Sequence, residues 1–308
     1  MLSVIIPSYN EEQNIHNTAK TVISLLENAA IPCELIFIDD GSKDKTYKKI
    51  CECSALNKNI RGVSFSRNFG KEAAICAGLE AAKGDCAVII DCDLQFPPEK
   101  IIEMYSLWQE GYEVIEGVKT DRGNESAFHK LSAKVFYKIM SAFVGVDMQR
   151  TSDFKLVDRK VIDALLSLPE RNTFFRALSF WSGFNSTQVN FEVQERQNGE
   201  SKWGLIKLTK YAISNITSFT TAPLQIITIM GCVMLVFMGV MAVQTLIRFL
   251  LGQSAEGFTT VILLLLLIGG SLMLALGIIG YYIARIYEEV KGRPRYIISK
   301  KTDEDKQN

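Results

Sequence analysis

The chain has 308 residues, with 34 Lys and Arg side chains against 34 Asp and Glu side chains. This length allows one large domain, alone or with a smaller addition. The balanced charge exerts no overall attraction on nucleic acid, so we predict no nucleic-acid partner. Hydrophobic residues make up 48% of the chain, and the stretch from Leu224 to Ile283 is almost continuously apolar. The sequence therefore divides into a soluble-looking part and an apolar part.

In the soluble-looking part, short apolar runs alternate with helical patterns. The runs predict strands at Ser3–Ile6, Glu34–Ile38, Arg61–Ser64, Ala87–Ile90 and Glu113–Gly117. The helical patterns predict helices at Gln13–Asn28, Asp44–Leu56, Lys71–Ala82 and Pro98–Glu110. This alternation is typical of an α/β fold with a mostly parallel sheet and helices on both faces. Ligands of such a sheet bind at the carboxyl ends of its strands.

The cysteines and the first apolar run bear on the cellular compartment. There are seven cysteines, an odd number, and no two have the spacing Cys-x-x-Cys. We therefore expect reduced, mostly buried thiols and a cytosolic location for the soluble part. The short run Val4–Ile6, ended by Pro7, is expected to be a strand and not a signal peptide.

Polar residues follow three of the predicted strands, as Pro7–Glu11, Asp39–Ser42 and Asp91–Gln95. Two carboxylates at positions i and i+2 directly after a buried strand can converge on one cation, and such oxygen ligands select Mg²⁺ or Mn²⁺. Asp91 and Asp93 have this spacing. Alone, the pattern also fits a solvated turn, and Asp39–Ser42 also fits a turn and helix N-cap. The first turn lacks the glycines of a dinucleotide-binding fold, and there is no Walker A loop.

Two apolar segments predict a hairpin of membrane-spanning helices. Ile226–Val243 is 18 residues long and Val261–Ile283 is 23. As helices they would be about 27 and 34 Å long, against a hydrocarbon core of about 30 Å. The alternative is a buried helical hairpin in a soluble core. The connecting loop has no Lys or Arg, whereas both outer flanks are basic, so the positive-inside rule predicts cytosolic flanks.

Two further segments have amphipathic helical patterns. Trp203–Phe219 is predicted to be an interfacial helix lying on the membrane. Phe128–Phe143 has a similar pattern and would either pack on the globular core or face the membrane. Small residues in the second apolar segment would allow close helix contacts, either within the hairpin or between the protomers of a homo-oligomer.

Six segments together resemble a known family. They are Val4–Glu12, Ile38–Thr46, Asp91–Pro98, Ser152–Leu156, Arg196–Trp203 and Tyr287–Tyr296. In this order, and over nearly the whole chain, they resemble the inverting glycosyltransferases of the GT-A fold. The branch they resemble is that of dolichol-phosphate mannose synthase and bactoprenol (undecaprenyl-phosphate) glucosyltransferase. The resemblance implies a Rossmann-like GT-A catalytic domain followed by a two-helix transmembrane hairpin.

The resemblance also implies site residues. A nucleotide-sugar donor would be bound by Pro7, Tyr9, Asn10, Glu11, Asp39, Asp40, Ser42 and Asp91. A divalent metal, Mg²⁺ or Mn²⁺, would be bound by Asp91, Asp93 and Gln95 against the donor diphosphate. Asp153 falls at the position of the catalytic carboxylate in related enzymes.

Basic residues would neutralise the leaving nucleoside diphosphate of an inverting displacement. Arg196 and Lys202 are the predicted catalytic cations, because they fall in the segment Arg-x-x-Gly-x-Ser-Lys. Candidates for binding the acceptor phosphate are Arg122, Lys130 and Ser201. A polyprenyl phosphate is anionic near neutral pH, with a second pKa of about 6, so Asp153 would act either as a base or by positioning the acceptor.

The predicted organisation is a cytosolic GT-A domain (1–200), an interfacial helix (201–222), two transmembrane helices (223–284) and a cytosolic tail (285–308). The predicted activity is transfer of a hexose, with UDP-glucose favoured as donor, to undecaprenyl phosphate at the cytosolic face of the inner or plasma membrane. Both termini of this multi-pass protein would be cytosolic. The alternatives are a GDP-mannose-dependent synthase, a processive polysaccharide synthase and a non-catalytic membrane adaptor.

Overall fold

A computed structural model of the chain describes residues 1–119, 152–168, 175, 183–192, 222–251 and 257–303. The chain divides into two compact units. One unit comprises Met1–Gly204 together with Pro294–Asn308, and the other comprises Leu205–Arg293. The predicted amphipathic segments Phe128–Phe143 and Trp203–Phe219 lie outside the described residues.

The first unit contains a sheet of eight strands and five helices among its described residues. The strands are β1 (Leu2–Ser8), β2 (Cys33–Asp39), β3 (Ile60–Phe65), β4 (Cys86–Ile89), β5 (Val114–Lys119), β6 (Lys155–Asp158), β7 (Ser186–Phe191) and β8 (Ile298–Lys301). The helices are α1 (Ile15–Asn28), α2 (Thr46–Leu56), α3 (Lys71–Ala81), α4 (Lys100–Gln109) and α5 (Arg159–Ser167). All five predicted strands and all four predicted helices are confirmed, with small shifts at their ends.

The strand order is β7-β5-β6-β4-β1-β2-β3-β8. Strands β4, β1, β2 and β3 form a run of four parallel strands. Strand β6 lies antiparallel between β4 and β5, and β8 lies antiparallel at the β3 edge. The sheet is thus mostly parallel, as predicted, but it is mixed. Because β6 runs opposite to β4, the start of β6 lies beside the end of β4.

Helices pack on the sheet through apolar side chains that recur every three or four residues and so form one face of each helix. In α1, the buried positions include Ile15, Ala19, Val22 and Leu26, which recur every three or four residues. Helix α3 approaches β1 closely at Gly78, where an added Cβ would lie 2.2 Å from Cγ2 of Ile5. The central strands are buried on both faces, as expected for a parallel sheet covered by helices.

The segment that follows the apolar unit completes the sheet of the first unit. Strand β8 pairs with β3, and Thr302 exchanges hydrogen bonds with the backbone of Gly62. Tyr296 stacks on Phe65 and hydrogen-bonds to Glu80. The chain therefore leaves the first unit and later returns to it, so the apolar unit is connected to the same folded domain at both ends.

The second unit contains two long helices, α6 (Ala222–Leu250) and α7 (Phe258–Val290). Within them, Ile227–Arg248 and Leu267–Val290 are long and apolar enough to cross a membrane, with mean hydropathies of 2.2 and 1.9. Among the described residues, the most apolar 18-residue window of each stretch has no buried residue, which is unlike the core helix of a soluble domain. The predicted apolar segments are thus confirmed as helices, and length and composition make both candidate membrane spans.

Candidate active site

The loops after β1 and β2 are joined by hydrogen bonds at the carboxyl edge of the sheet. The Asn10 backbone N–H donates to Ser42 Oγ at 2.9 Å, and the Lys43 N–H donates to Asn10 Oδ1 at 3.0 Å. Asn10 has a φ of 56°, a conformation that asparagine tolerates better than most residues. The predicted donor-binding segments Pro7–Glu11 and Asp39–Ser42 therefore form one surface. Tyr9 is exposed on it.

Asp39 and Asp40 are buried and accept hydrogen bonds from the protein. Asp39 accepts from the Ser42 N–H at 3.0 Å and from Ser64 Oγ at 2.6 Å. Asp40 accepts from the N–H groups of Phe69 and Gly70 at 2.7 and 2.9 Å. Burial raises the pKa of Asp40; the two backbone hydrogen bonds oppose this shift and the charge of Asp39 adds to it. These carboxylates hold the loops after β2 and β3 in place, and their contact with a nucleotide stays a prediction.

The segment Asp91–Gln95 follows β4 as a turn outside the sheet. Cys92 is buried, its carbonyl accepts from Thr18 Oγ1 at 2.6 Å, and burial raises its pKa to about 12. Asp91 and Asp93, on either side of it, are partly exposed. Asp93 Oδ1 also accepts from the Gln95 N–H at 3.2 Å, which orders the turn. Both carboxylates are thus partly accessible, and their binding of one cation stays a prediction.

The donor set of this turn fits a hard divalent cation. Among the described residues, no three His, Cys, Asp or Glu side chains converge as a complete metal cluster. Mg²⁺ commonly uses one or two protein carboxylates and completes its coordination with substrate phosphates and water. Asp91 and Asp93 match that incomplete donor set. A cation already lies against one of them, because Lys71 Nζ is 2.5 Å from Asp91 Oδ1.

Asp153 lies just before β6. Because β6 pairs antiparallel with β4, Asp153 lies near the end of β4, where Asp91 follows. Ser152 Oγ donates to the Gly117 carbonyl at 2.6 Å, and Phe154 stacks on Phe96 with ring centroids 5.2 Å apart. An added Cβ at Gly117 would lie 2.6 Å from Phe154 Cδ1, so only glycine fits there without rearrangement. The side chain of Asp153 between these anchors is only 7% exposed. Asp153 is therefore held rigidly at the edge that carries Asp91.

Lys71 is a site residue that the sequence analysis missed. Its Nζ lies 2.8 Å from Asp153 Oδ2 as well as 2.5 Å from Asp91 Oδ1, so it bridges the two acids. Burial alone would lower the pKa of Lys71, but the charges of Asp91 and Asp153 outweigh it and raise the pKa above its usual value. The one local signal was its position at the start of a helix that follows the third strand, which does not by itself distinguish Lys71 from other residues that begin helices.

A buried ion pair lies beside the site. Lys155 Nζ is 3.1 Å from Glu116 Oε1, and these side chains are 1% and 8% exposed. They face each other across the β5–β6 pairing. Removing one partner of a buried ion pair leaves the other charge uncompensated, so replacing Lys155 or Glu116 alone should destabilise the fold next to Asp153.

Five predicted site residues lie outside the part of the chain that the structure describes. They are Arg122, Lys130, Arg196, Ser201 and Lys202. Their proposed contacts with the diphosphate or the acceptor therefore stay predictions. The described residues bring Asp91 and Asp153 together through Lys71, and the convergence of Asp93 with them stays a prediction.

Comparison with known proteins identifies the family. Residues 3–166 match the model for glycosyl transferase family 2. An uncharacterized glycosyltransferase of Synechocystis is 38% identical over 300 residues, covering 97% of this chain and 94% of the relative. A bactoprenol glucosyl transferase of Shigella phage SfII is 35% identical over 304 residues, covering 97% of both chains.

A solved structure shows the same fold. It is the glucosyl-3-phosphoglycerate synthase of Mycobacterium tuberculosis in complex with Mn²⁺, UDP and phosphoglyceric acid. The TM-score is 0.53 at 24% identity, and the match covers 71% of this chain and 78% of that one. The family model spans more than half of the chain, the relatives span nearly all of it, and the predicted resemblance is confirmed. The chain is a glycosyltransferase with a GT-A-like fold and belongs to glycosyl transferase family 2.

Proposed function

We propose that this glycosyltransferase transfers a hexose, from UDP-glucose as the favoured donor, to a polyprenyl phosphate at the cytosolic membrane face. The observation that carries the proposal is the similarity to bactoprenol glucosyl transferases over the full chain, the two apolar helices included. A shared catalytic domain alone would support sugar transfer in general. Similarity that extends through the hairpin supports a lipid acceptor.

The carboxyl edge of the sheet would bind the donor. The joined loops after β1 and β2 form a surface for the nucleotide, with Tyr9 exposed on it. Asp91 and Asp93, with Gln95, would hold Mg²⁺ or Mn²⁺ against the diphosphate. When bound, the metal supplies charge neutralisation for the leaving nucleoside diphosphate. Support comes from the Mycobacterium tuberculosis enzyme, whose structure contains Mn²⁺ and UDP.

In an inverting transfer, the acceptor oxygen forms a bond to the anomeric carbon while the bond from that carbon to the donor diphosphate breaks. A phosphate acceptor has a second pKa of about 6 and is largely ionised at neutral pH, so it needs little help in losing a proton. Asp153 Oδ2 lies 2.8 Å from Lys71 Nζ, so this carboxylate already has a cationic partner. We therefore assign Asp153 to positioning the reactants and their cationic partners.

The apolar helices would hold the enzyme where its acceptor lies. The reacting phosphate of a polyprenyl lipid stays at the headgroup level, so tethering the enzyme to the membrane raises the effective concentration of both. The chain on both sides of the hairpin belongs to one folded domain, which supports two spans with both flanks on the same side. Lys291 and Arg293 follow α7, and such basic flanks favour the cytosol.

Activity of the purified full chain tests the proposal. Release of nucleoside diphosphate and formation of glycosylated lipid would be measured with Mg²⁺ or Mn²⁺, undecaprenyl phosphate and a panel of UDP- and GDP-sugars. We expect lipid-dependent turnover with UDP-glucose that is lost in Asp93→Asn and retained in Asp163→Asn, a change on the exposed face of α5. Turnover with GDP-mannose alone would replace the donor, and no turnover with any donor would favour a non-catalytic adaptor.

A further inference from the structure

The position of Lys71 is set by the turn that precedes α3. Both oxygens of Asp40 accept backbone N–H groups of this turn, from Phe69 and Gly70. Gly70 has a φ of 99°, which glycine adopts without the strain that a side chain would cause. The helix then begins at Lys71 itself. The buried acid after β2 therefore places the ammonium group at the acids after β4 and before β6.

The Lys71 ammonium occupies an oxygen that a divalent cation would also use. It lies 2.5 Å from Oδ1 of Asp91, closer than its 2.8 Å contact with Asp153. A divalent cation on the same carboxylate would lie within a few ångströms of the ammonium, where like charges repel strongly. A divalent cation at Asp91 would therefore compete with the present Lys71 contact. Asp153 offers the displaced ammonium a second partner already within reach.

We propose that Lys71 is a positioning residue that neutralises Asp91 in the donor-free enzyme and yields Asp91 to the divalent cation when the donor binds. After this exchange Lys71 stays on Asp153, on the side where the anionic substrates meet. The inference rests on the metal-dependent transfer proposed above and adds a rule for the order of binding. The enzyme binds its metal weakly alone and more tightly together with a nucleoside diphosphate, whose phosphates supply the missing ligands.

A variant that removes the charge of Lys71 distinguishes this role from a purely structural one. In Lys71→Met, Asp91 loses its competing cation, so Mn²⁺ binding without nucleotide tightens by about fivefold, the size expected for one partly exposed ion pair. Transfer activity of the same variant falls, because Asp153 has lost its partner. Binding and activity thus change in opposite directions. A merely structural lysine would weaken both.

The experiment measures free Mn²⁺ by electron paramagnetic resonance during titration of the purified full chain, with and without UDP. Lys71→Arg keeps the charge and should bind Mn²⁺ much as the unchanged protein does. Lys100→Met is the matched control, because Lys100 also pairs with an acid and is similarly exposed, but on α4. Lys71→Gln is a second neutral variant in case Lys71→Met folds poorly. Thermal unfolding verifies the fold of each.

Unchanged or weaker Mn²⁺ binding in both neutral variants would overturn the inference. Asp91→Asn separates it from the wider proposal, since this variant should lose most Mn²⁺ binding. Wild-type Mn²⁺ binding by Asp91→Asn would overturn both the metal assignment and the role of Lys71. Tighter binding in Lys71→Met together with no transfer to any lipid would support the inference and refute the proposed acceptor.

Discussion

Tyr296 stacks on Phe65 with ring centroids 4.9 Å apart and ring planes inclined by 13°. The whole apolar unit lies between these residues in the chain. Their contact lies at the end of β3, which pairs with β8, and next to the loop that leads to Lys71. The next residue, Ile297, accepts a hydrogen bond from the Ser66 N–H at 3.0 Å. The C-terminal segment therefore contacts the start of the loop whose far end is bound by Asp40.

Removing this aromatic contact should loosen the sheet edge. Tyr296→Ala should lower the free energy of unfolding by about 1–2 kcal/mol, from the lost ring stacking and buried area. Thermal unfolding of the detergent-solubilised protein measures this loss of stability. In addition, the KM for the donor should rise more than the KM for the acceptor. Tyr296→Phe keeps the stacking and should lose less. Leu56→Ala, at an exposed apolar position, is the control, and equal stability of Tyr296→Ala and the control would contradict the expectation.

Enlarging Gly117 should disturb Asp153 through its neighbour. An added methyl would lie 2.6 Å from Phe154 Cδ1 and 2.9 Å from the Phe154 carbonyl oxygen. Gly117→Ala should therefore cost about 1–3 kcal/mol of stability through overpacking and should lower kcat by shifting Asp153. Unfolding and steady-state kinetics measure the two effects. Gly231→Ala, which meets no atom within 4 Å, should change neither, and a fully active Gly117→Ala would contradict the packing argument.

The chemical role of Asp153 can be read from its amide variant. If Asp153 positions reactants and does not remove a proton, Asp153→Asn should retain more than about 1% of kcat, a smaller loss than the 10²–10⁴-fold typical of a lost general base. Its pH–rate profile should keep the shape of the unchanged enzyme. Asp158→Asn, at the other end of β6, is the control and should affect stability alone, because Asp158 caps α5 and accepts from Trp108. Loss of the acid limb of the profile in Asp153→Asn, where the rate falls as a base becomes protonated, would instead identify a base.

Stability at acid pH should depend on Glu34. Burial alone would raise the pKa of Glu34, but hydrogen bonds from Ser3 Oγ, the Lys83 N–H and Arg61 outweigh it and lower the pKa. A pKa lowered in the folded state contributes stability that is present above the unfolded value of about 4.3 and is lost as pH falls through the folded value. The thermal midpoint should therefore decline below about pH 4.5.

The variant Glu34→Gln isolates this contribution. It should be less stable at pH 7, because an amide cannot accept from all three donors, and its midpoint should decline less steeply between pH 5 and pH 3. Midpoints measured at several pH values compare the two slopes. Glu27→Gln provides a control carboxylate at an exposed position on α1. Parallel curves for Glu34→Gln and the unchanged protein would show that another group governs the acid limb.

Local periodicity was enough to predict much of this protein. Alternating apolar runs and helical stripes located the first five strands and four helices, because each pattern reflects burial of its own segment. Asp91 and Asp93 were recognisable because two residues at i and i+2 after a strand lie on the same side of the chain. The apolar helices α6 and α7 followed from length and hydropathy alone.

Contacts between distant segments were not accessible in this way. No local pattern in Lys155–Asp158 indicates that β6 inserts antiparallel between β4 and β5, although that insertion brings Asp153 to Asp91. Strand β8 and the stacking of Tyr296 on Phe65 were missed for the same reason, since a four-residue edge strand has too short a pattern to identify its partner. From its sequence, Lys71 could not be distinguished from other residues that begin a helix. Its contacts depend on how the loops after β2 and β3 are arranged in space.

The sequence by itself thus determined the kinds of elements, the apolar hairpin and the two acids after β4, because each depends on residues close together in the chain. Only the tertiary structure decided which acids share a cation, which strand carries Asp153 to them and where the C-terminal segment returns. Those features depend on strand order and on packing between residues far apart in the chain. Side-chain fit across the whole core selects them, and no single segment contains that information.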